Sequence, residues 1–197
     1  MRRWMLNIVV ALVLEFSIFT SLLNLNEPRV EFARDAEINH ILEVLKSYRT
    51  GLSSLEEVRL AEVILNESYT YDIDPLFVLA LIKTESTFFN WARSEKGALG
   101  LMQIRPITGR YLAEKLGVRW DGEDILYDPY LNIKMGIHYF SLLMDRYNND
   151  VKKALAAYNF GPFYIERRLR YGKRVPERYA NKVLATYDRL KKGVGFG

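Results

Sequence analysis

The chain has 197 residues, 49% hydrophobic and 26% charged, a composition typical of a folded globular protein with one sizeable domain. It has no cysteine, which excludes disulfides, thiolate metal sites and cysteine nucleophiles. Its two histidines, His40 and His138, do not have metal-ligand spacing, so a zinc hydrolase is disfavoured and we expect no metal and no other cofactor. The net charge is +4.

That charge is concentrated near the C-terminus. Between Glu166 and Lys192 there are ten basic residues against three acidic ones. A basic face of this kind suits a polyanionic partner, although basic residues also commonly solvate the outer faces of helices.

The first predicted element is an N-terminal hydrophobic helix. Arg2 and Arg3 precede a mostly apolar segment, residues 4–25, that is long enough to span a bilayer. Glu15 disfavours a span, and no clear cleavage site follows the segment. We interpret residues 1–25 as a signal-anchor or, alternatively, a cleaved signal peptide. Either reading exports the rest of the chain to the cell envelope, periplasmic or outward-facing, anchored in the inner membrane or secreted.

The remainder is predicted to be all-α, because no period-two strand pattern or Asn-Gly hairpin occurs after Pro28. A helical linker is expected over residues 26–52 and a compact domain over 53–192. Several helix starts carry capping or proline signals. These are Ser54 with Glu57, Asp74-Pro75, Pro106, Asp128-Pro129, Gly161-Pro162 and Val175-Pro176.

Glu85 is the candidate catalytic residue. It ends a helix that starts at Pro75 and is apolar all round, so this helix should be central and buried. Partial burial disfavours the charged form of a carboxyl group and should raise the pKa of Glu85, as a general acid requires near neutral pH. The competing interpretation is that Glu85 pairs with a surface lysine or caps a neighbouring element.

Two further segments offer groups that could grip a sugar. Gly97 and Gly100 let a ligand approach the main chain, and Met102 and Gln103 follow them with an apolar surface and an amide. Downstream, Tyr158 and Asn159 end a helix at a Gly-Pro turn. Each segment alone is also typical of an ordinary interhelical turn.

In series, these segments resemble the catalytic domain of lytic transglycosylases of the soluble murein (SLT, glycoside hydrolase family 23) type, relatives of goose-type lysozyme. The matching blocks are Glu85-Ser86-x-Phe88, the run from Ala92 through Ser94, Gly100 and Gln103 to Thr108, Ala157-Tyr158-Asn159-x-Gly161, and Pro176-Glu177 followed by Tyr179, Ala180 and Val183. Departures are Trp91 for a frequent Pro, Phe160 for Ala and Arg178 for Thr.

The resemblance implies a lysozyme-like helical fold and cleavage of the MurNAc–GlcNAc β-1,4 bond of peptidoglycan, with Glu85 as the single acid and base and 1,6-anhydro ends as products. It implies glycan contacts from six residues: Ser94, Met102, Gln103, Tyr158, Asn159 and Tyr179. The expected partners are peptidoglycan glycan strands and, through residues 4–25, the membrane; no nucleic acid is expected.

Three alternatives stay open at this point. A hydrolytic lysozyme could use the same fold, given a second carboxylate or a positioned water. A noncatalytic glycan-binding or wall-assembly protein could have kept the fold, although the intact Glu85-Ser86 pair argues against it. The same chemistry could also serve a secretion or conjugation machine.

Overall fold

The computed structural model describes residues 31–193, so the apolar segment predicted over 4–25 lies outside the described residues. Among the helices that are described, none has the length and apolar character needed to cross a membrane. The described part is helical, as predicted, and its only strand-like pairings are isolated bridges from Leu99 to Arg93 and Ile104. In chain order its elements are α1 (31–46), α2 (Ser54–Thr70), α3 (Pro75–Ser86), α4 (Pro106–Lys115), a 3-10 helix (Glu123–Tyr127), α5 (Pro129–Arg146), α6 (Val151–Phe160), α7 (Pro162–Arg170) and α8 (Arg178–Lys191).

One compact unit begins at Ile41, inside the segment that we assigned to a linker. The side chains of Ile41 and Leu45 in α1 are 1% and 0% exposed, and Thr50 in the following loop is 2% exposed. The core of this unit therefore draws on residues that precede the predicted boundary at Ser53.

Helix α3 lies at the centre of this unit, as its apolar sequence predicts. All six residues from Phe77 to Ile82 are buried, and the helix packs against α2 and α8. Asp74 caps its start by accepting a hydrogen bond from the backbone of Leu76, and Pro75 takes the first helical position. The burial of this helix fixes the position of Glu85, which lies in its last turn.

Most of the predicted helix starts are confirmed, and two shift by one or two residues. Asp128 caps α5, and Pro106 and Pro162 open α4 and α7. The capping box of α2 is formed by Ser53 and Glu56, because Glu57, one residue further along, is buried and accepts a hydrogen bond from Thr50. Helix α8 begins at Arg178, after Pro176 rather than at it.

Candidate active site

Glu85 lies half-buried in the last turn of α3, where it forms part of the wall of an open cleft. Burial raises the pKa of its carboxyl group from 4.5 to about 7, although a hydrogen bond from Tyr179 and the positive charge of Lys182 act in the opposite direction. The raised pKa expected from the sequence is therefore confirmed. At neutral pH this carboxyl group is divided between an acid that can donate a proton and a base that can accept one.

Tyr179 reaches Glu85 from α8. Its phenolic hydroxyl donates a hydrogen bond to Oε1 of Glu85. Burial, and then the charge of Glu85, raise the pKa of Tyr179 well above its usual value, so the phenol keeps its proton and acts as a donor. Ala180 and Val183 are buried on the same helix and hold α8 against the core.

A tight turn over residues 92–104 forms a second wall of the cleft. The Oγ of Ser94 accepts a hydrogen bond from the backbone of Ala98 at 2.9 Å, which closes the tip of the turn. The side-chain Nε2 of Gln103 donates to the carbonyl oxygens of Ala92 and Gly100 at 3.2 and 3.0 Å. Since the amide nitrogen is used inside the turn, the amide oxygen is the group that Gln103 can offer to a ligand in the cleft.

Asn132 of α5 binds the backbone of this turn and holds it in place, a role that we did not predict from the sequence. Its side chain is fully buried: Oδ1 accepts from the backbone of Met102 at 2.8 Å, and Nδ2 donates to the carbonyls of Leu99 and Leu126 at 3.0 and 2.8 Å. A Cβ on Gly100 would lie 2.2 Å from Nδ2, so only glycine admits this contact. The one available signal was an isolated polar residue on the apolar face of α5.

Met102 differs from its expected role as a glycan contact. Its side chain is 0% exposed and packs where a Cβ on Gly136 would come within 2.2 Å of its sulfur atom. It does not line the cleft. Its contribution is made by the backbone, because its carbonyl oxygen accepts a hydrogen bond from the hydroxyl of Tyr158 at 2.8 Å.

Tyr158 and Asn159 bring the end of α6 to the cleft. The ring of Tyr158 lies 5.4 Å from that of Tyr139, and burial followed by the charge of Glu85 raises its pKa well above the usual value. Asn159 is exposed and lines the same cleft. The structure thus places four of the six expected contacts, Ser94, Gln103, Tyr158 and Asn159, around one space with Glu85, while Tyr179 binds the carboxyl group itself.

The cleft has a volume of about 410 Å³, within the range of small-molecule sites. A neighbouring cavity of about 240 Å³ shares several of its residues and extends it towards α4 and α7. Three charged residues, Glu95, Lys96 and Arg105, also line the cleft and are exposed. Over residues 31–193, no group of three His, Cys, Asp or Glu side chains is arranged to hold a metal ion.

A carboxyl group that is partly protonated at neutral pH, in the wall of an open polar cleft, is suited to general acid catalysis on a sugar. The family model of the transglycosylase SLT domain matches residues 62–181, from within α2 into α8. The chain therefore belongs to the SLT transglycosylase domain family, a family of lytic transglycosylase enzymes. This confirms the resemblance drawn from the sequence motifs.

Individual relatives agree with this placement. Membrane-bound lytic murein transglycosylase E of Buchnera aphidicola is 27% identical over 155 residues, which are 74% of this chain and 73% of that protein. Membrane-bound lytic murein transglycosylase C of Histophilus somni is 37% identical over 100 residues, covering 46% of this chain and 28% of that protein. The solved lytic transglycosylase Slt of Pseudomonas aeruginosa, an inactive mutant, superimposes with a TM-score of 0.59 at 25% identity, over 68% of this chain and 24% of that one. The chain thus spans less than two thirds of the last two proteins.

Proposed function

We propose that this chain is a peptidoglycan lytic transglycosylase that cleaves the MurNAc–GlcNAc β-1,4 bond and leaves 1,6-anhydro-MurNAc ends. The observation that carries the proposal is the pKa of about 7 at Glu85, in a cleft wall where Tyr179 donates a hydrogen bond to it. The names of the relatives, lytic murein transglycosylases, support peptidoglycan as the substrate. The Pseudomonas aeruginosa Slt structure, whose inactive form carries a Glu-to-Gln substitution, supports instead the proposal that a single glutamate is essential for catalysis.

In the proposed reaction, the carboxyl group of Glu85 acts twice. It first donates its proton to the glycosidic oxygen as the bond between that oxygen and C1 of MurNAc breaks. The resulting carboxylate then accepts the proton of the C6 hydroxyl group of the same sugar, and the oxygen of that hydroxyl forms a new bond to C1. A pKa near the working pH suits both steps, and the Tyr179 hydrogen bond stabilises the carboxylate between them.

The remaining cleft residues are proposed to hold the glycan. Asn159 and the amide oxygen of Gln103 provide hydrogen-bonding groups, and the aromatic side chain of Tyr158 offers a surface for a sugar ring. Ser94 contributes through the turn that it closes. Met102 acts through its carbonyl oxygen, which fixes Tyr158, rather than through a contact of its side chain with the sugar.

Product mass tests this proposal. Purified glycan strands are digested, and the new ends are identified by mass spectrometry, because anhydro ends are lighter than reducing ends by one water. Anhydro ends support the transglycosylase, and reducing ends reject it.

One observation keeps a hydrolytic lysozyme as the second candidate: Glu95 lines the same cleft as Glu85 and could activate a water molecule. We expect Glu95 to be dispensable, since it lies on an exposed turn beside Lys96. Glu95→Gln should therefore retain wild-type turnover and anhydro products. Loss of cleavage in Glu95→Gln, together with reducing ends in the wild type, would instead favour the lysozyme.

We also propose that the protein acts in the cell envelope and is associated with the membrane. Two of its relatives are named membrane-bound, and the apolar segment over 4–25 could anchor this chain. Cell fractionation and sequencing of the mature N-terminus test the idea. A soluble form that begins after residue 20 would indicate a cleaved signal instead.

A further inference from the structure

The backbone directly after Glu85 adopts a conformation that needs support. Thr87 and Phe88 both have positive φ values, 54° and 63°, in the left-handed region that residues other than glycine rarely occupy. Thr87 ends α3, and Phe88 is 0% exposed. Two such residues in succession persist only where the surrounding structure holds them. The turn begins at Thr87, two residues after Glu85, so a displacement of the turn would also displace Glu85.

A loop between α1 and α2, residues 48–51, provides that support. The ring of Tyr48 packs against the ring of Phe88 with centroids 4.7 Å apart. The carbonyl oxygen of Thr50 accepts a hydrogen bond from the backbone of Asn90 at 2.9 Å. The loop therefore holds the turn at two points.

A third contact closes the far end of the turn. The indole nitrogen of Trp91 donates to the carbonyl oxygen of Gly51 at 3.4 Å. Gly51 has a φ of 77°, and a Cβ there would lie 2.9 Å from Cδ1 of Trp91. Glycine is thus required at position 51 both by the backbone and by the indole packed on it.

The loop is itself fixed to the core. The hydroxyl of Thr50 donates to Oε1 of Glu57 on α2 at 2.6 Å and accepts from the backbone of Leu52 at 3.2 Å. Thr50 and Glu57 are 2% and 8% exposed, so this anchor lies inside the protein. Because this anchor is buried and hydrogen-bonded, the loop has a fixed position on the core and can hold the turn that it contacts.

We propose that residues 48–51 are positioning residues for Glu85: they clamp the turn that follows it and so keep its carboxyl group in the cleft wall. The loop precedes residues 62–181, the part that the family model matches, so the family assignment does not include it. The inference rests on the proposed role of Glu85 as the acid and base. It predicts that loosening the loop admits water to Glu85, which lowers its pKa and misaligns the proton transfer.

Two variants loosen the clamp and two serve as matched controls. Gly51→Ala introduces a side chain against Trp91, and Tyr48→Leu removes the ring that packs on Phe88. Tyr48→Phe keeps that ring and should therefore keep the wild-type kcat and pH profile, unlike Tyr48→Leu. Ser47→Ala alters an exposed neighbour whose hydroxyl donates a hydrogen bond to the carbonyl oxygen of Val44, in the last turn of α1.

The readout is the pH profile of turnover on purified glycan strands, with kcat and KM measured separately and normalised to folded protein. Gly51→Ala and Tyr48→Leu should lower kcat by about tenfold to a hundredfold at nearly unchanged KM. Their alkaline limb should move to lower pH. None of the variants replaces Tyr179 or Lys182 on α8, Tyr158 on α6, or the charged residues that line the cleft with Glu85, which are Glu95, Lys96 and Arg105.

Two outcomes would overturn the inference. If Gly51→Ala and Tyr48→Leu melt earlier but keep the wild-type kcat and pH profile per folded molecule, the loop is merely structural. If Tyr48→Phe loses activity as Tyr48→Leu does, the packing of the ring on Phe88 is not what positions Glu85. Glu85→Gln in the same assay tests the proposed function separately: if that variant keeps its turnover, the assignment of Glu85 fails whatever the loop variants do.

Discussion

The hydroxyl of Tyr179 on α8 donates a hydrogen bond to Oε1 of Glu85 on α3, across 94 positions of sequence. The two helices pack along each other, so the state of the acid depends on the C-terminal helix as well as on its own. Burial raises the pKa of Glu85, whereas Tyr179 and Lys182 lower it, and the balance is a value of about 7. The hydrogen bond of Tyr179 and the charge of Lys182 can each be removed by a single substitution.

Replacing Glu85, the proposed acid and base, should abolish cleavage. Glu85→Gln keeps the shape of the side chain but removes the transferable proton, and general acid–base catalysis alone is worth about 10²–10⁴-fold. Glycan binding and the far-ultraviolet circular dichroism spectrum should stay as in the wild type. Turnover on glycan strands is the measurement, and near wild-type turnover in this variant would disprove the assignment.

Removing either group that stabilises the carboxylate should raise the pKa of Glu85. In Tyr179→Phe the hydrogen bond is lost, and in Lys182→Gln the positive charge is lost, so the charged form becomes less favourable in both. The alkaline limb of the pH profile should therefore move to higher pH. Lys192→Gln, which removes an exposed charge beyond the end of α8, is the control and should leave the limb near 7. A limb that stays in place in Tyr179→Phe and Lys182→Gln would mean that it does not report Glu85.

The local elements of the site could be predicted from sequence because their signals are local. The apolar run from Phe77 to Ile82 indicates a buried helix, and Asp74-Pro75 marks its start, so the placement of Glu85 follows. The position of the α2 cap does not follow from the sequence, since Ser53 with Glu56 and Ser54 with Glu57 have the same spacing. Thr50 decides between them by binding Glu57.

Long-range contacts explain what the sequence did not reveal. Asn132 holds the turn around Met102 although the two residues are 30 positions apart in sequence. A single asparagine on a helix face does not indicate which backbone groups it will bind. The buried side chain of Met102 depends on Gly136 in another helix. Neither contact leaves a periodic pattern, because each depends on how α5 packs beneath the turn.

The free energy of unfolding should depend on pH through the ionisation of Glu85. Folding raises the pKa of Glu85 from 4.5 to about 7, so its contribution to stability is fully present below about 4.5 and is lost as the pH rises through about 7. The loss is at most about 3 kcal/mol. Glu85→Gln should thus be more stable than the wild type at pH 8, and the difference should shrink towards pH 5. Denaturant unfolding at both pH values measures it; a pH-independent difference would contradict the raised pKa.

Cleavage should not require a metal ion. The proposed chemistry needs only the proton of Glu85 and the hydroxyl group of the substrate, and the residues over 31–193 offer no cluster of metal-binding side chains. Turnover after dialysis against a chelator should equal that of untreated enzyme. A loss that zinc or calcium restores would show that the reaction uses a group outside this scheme.

The basic segment that includes α7 should strengthen attachment to the anionic cell wall. Arg167, Arg170, Lys173 and Arg174 are exposed, whereas Arg168 donates a hydrogen bond to the carbonyl oxygen of Arg174 at 2.8 Å and should be left intact. Replacing the four exposed residues should weaken co-sedimentation with whole sacculi at low salt more than it weakens cleavage of short uncharged oligosaccharides. High salt should remove the difference, because exposed charges act mainly by steering and are screened.

A pairwise comparison separates attachment from simple solvation. Replacing Arg167 and Arg170 changes the same number of exposed charges as replacing Arg110 and Lys115 on α4. If net charge alone governs pelleting, the two double variants should behave alike. If the surface at α7 contacts the wall, only the first should lose binding. Equal pelleting of the folded α7 variant and the wild type at low salt would mean that these arginines merely solvate the helix or pack through their aliphatic stems.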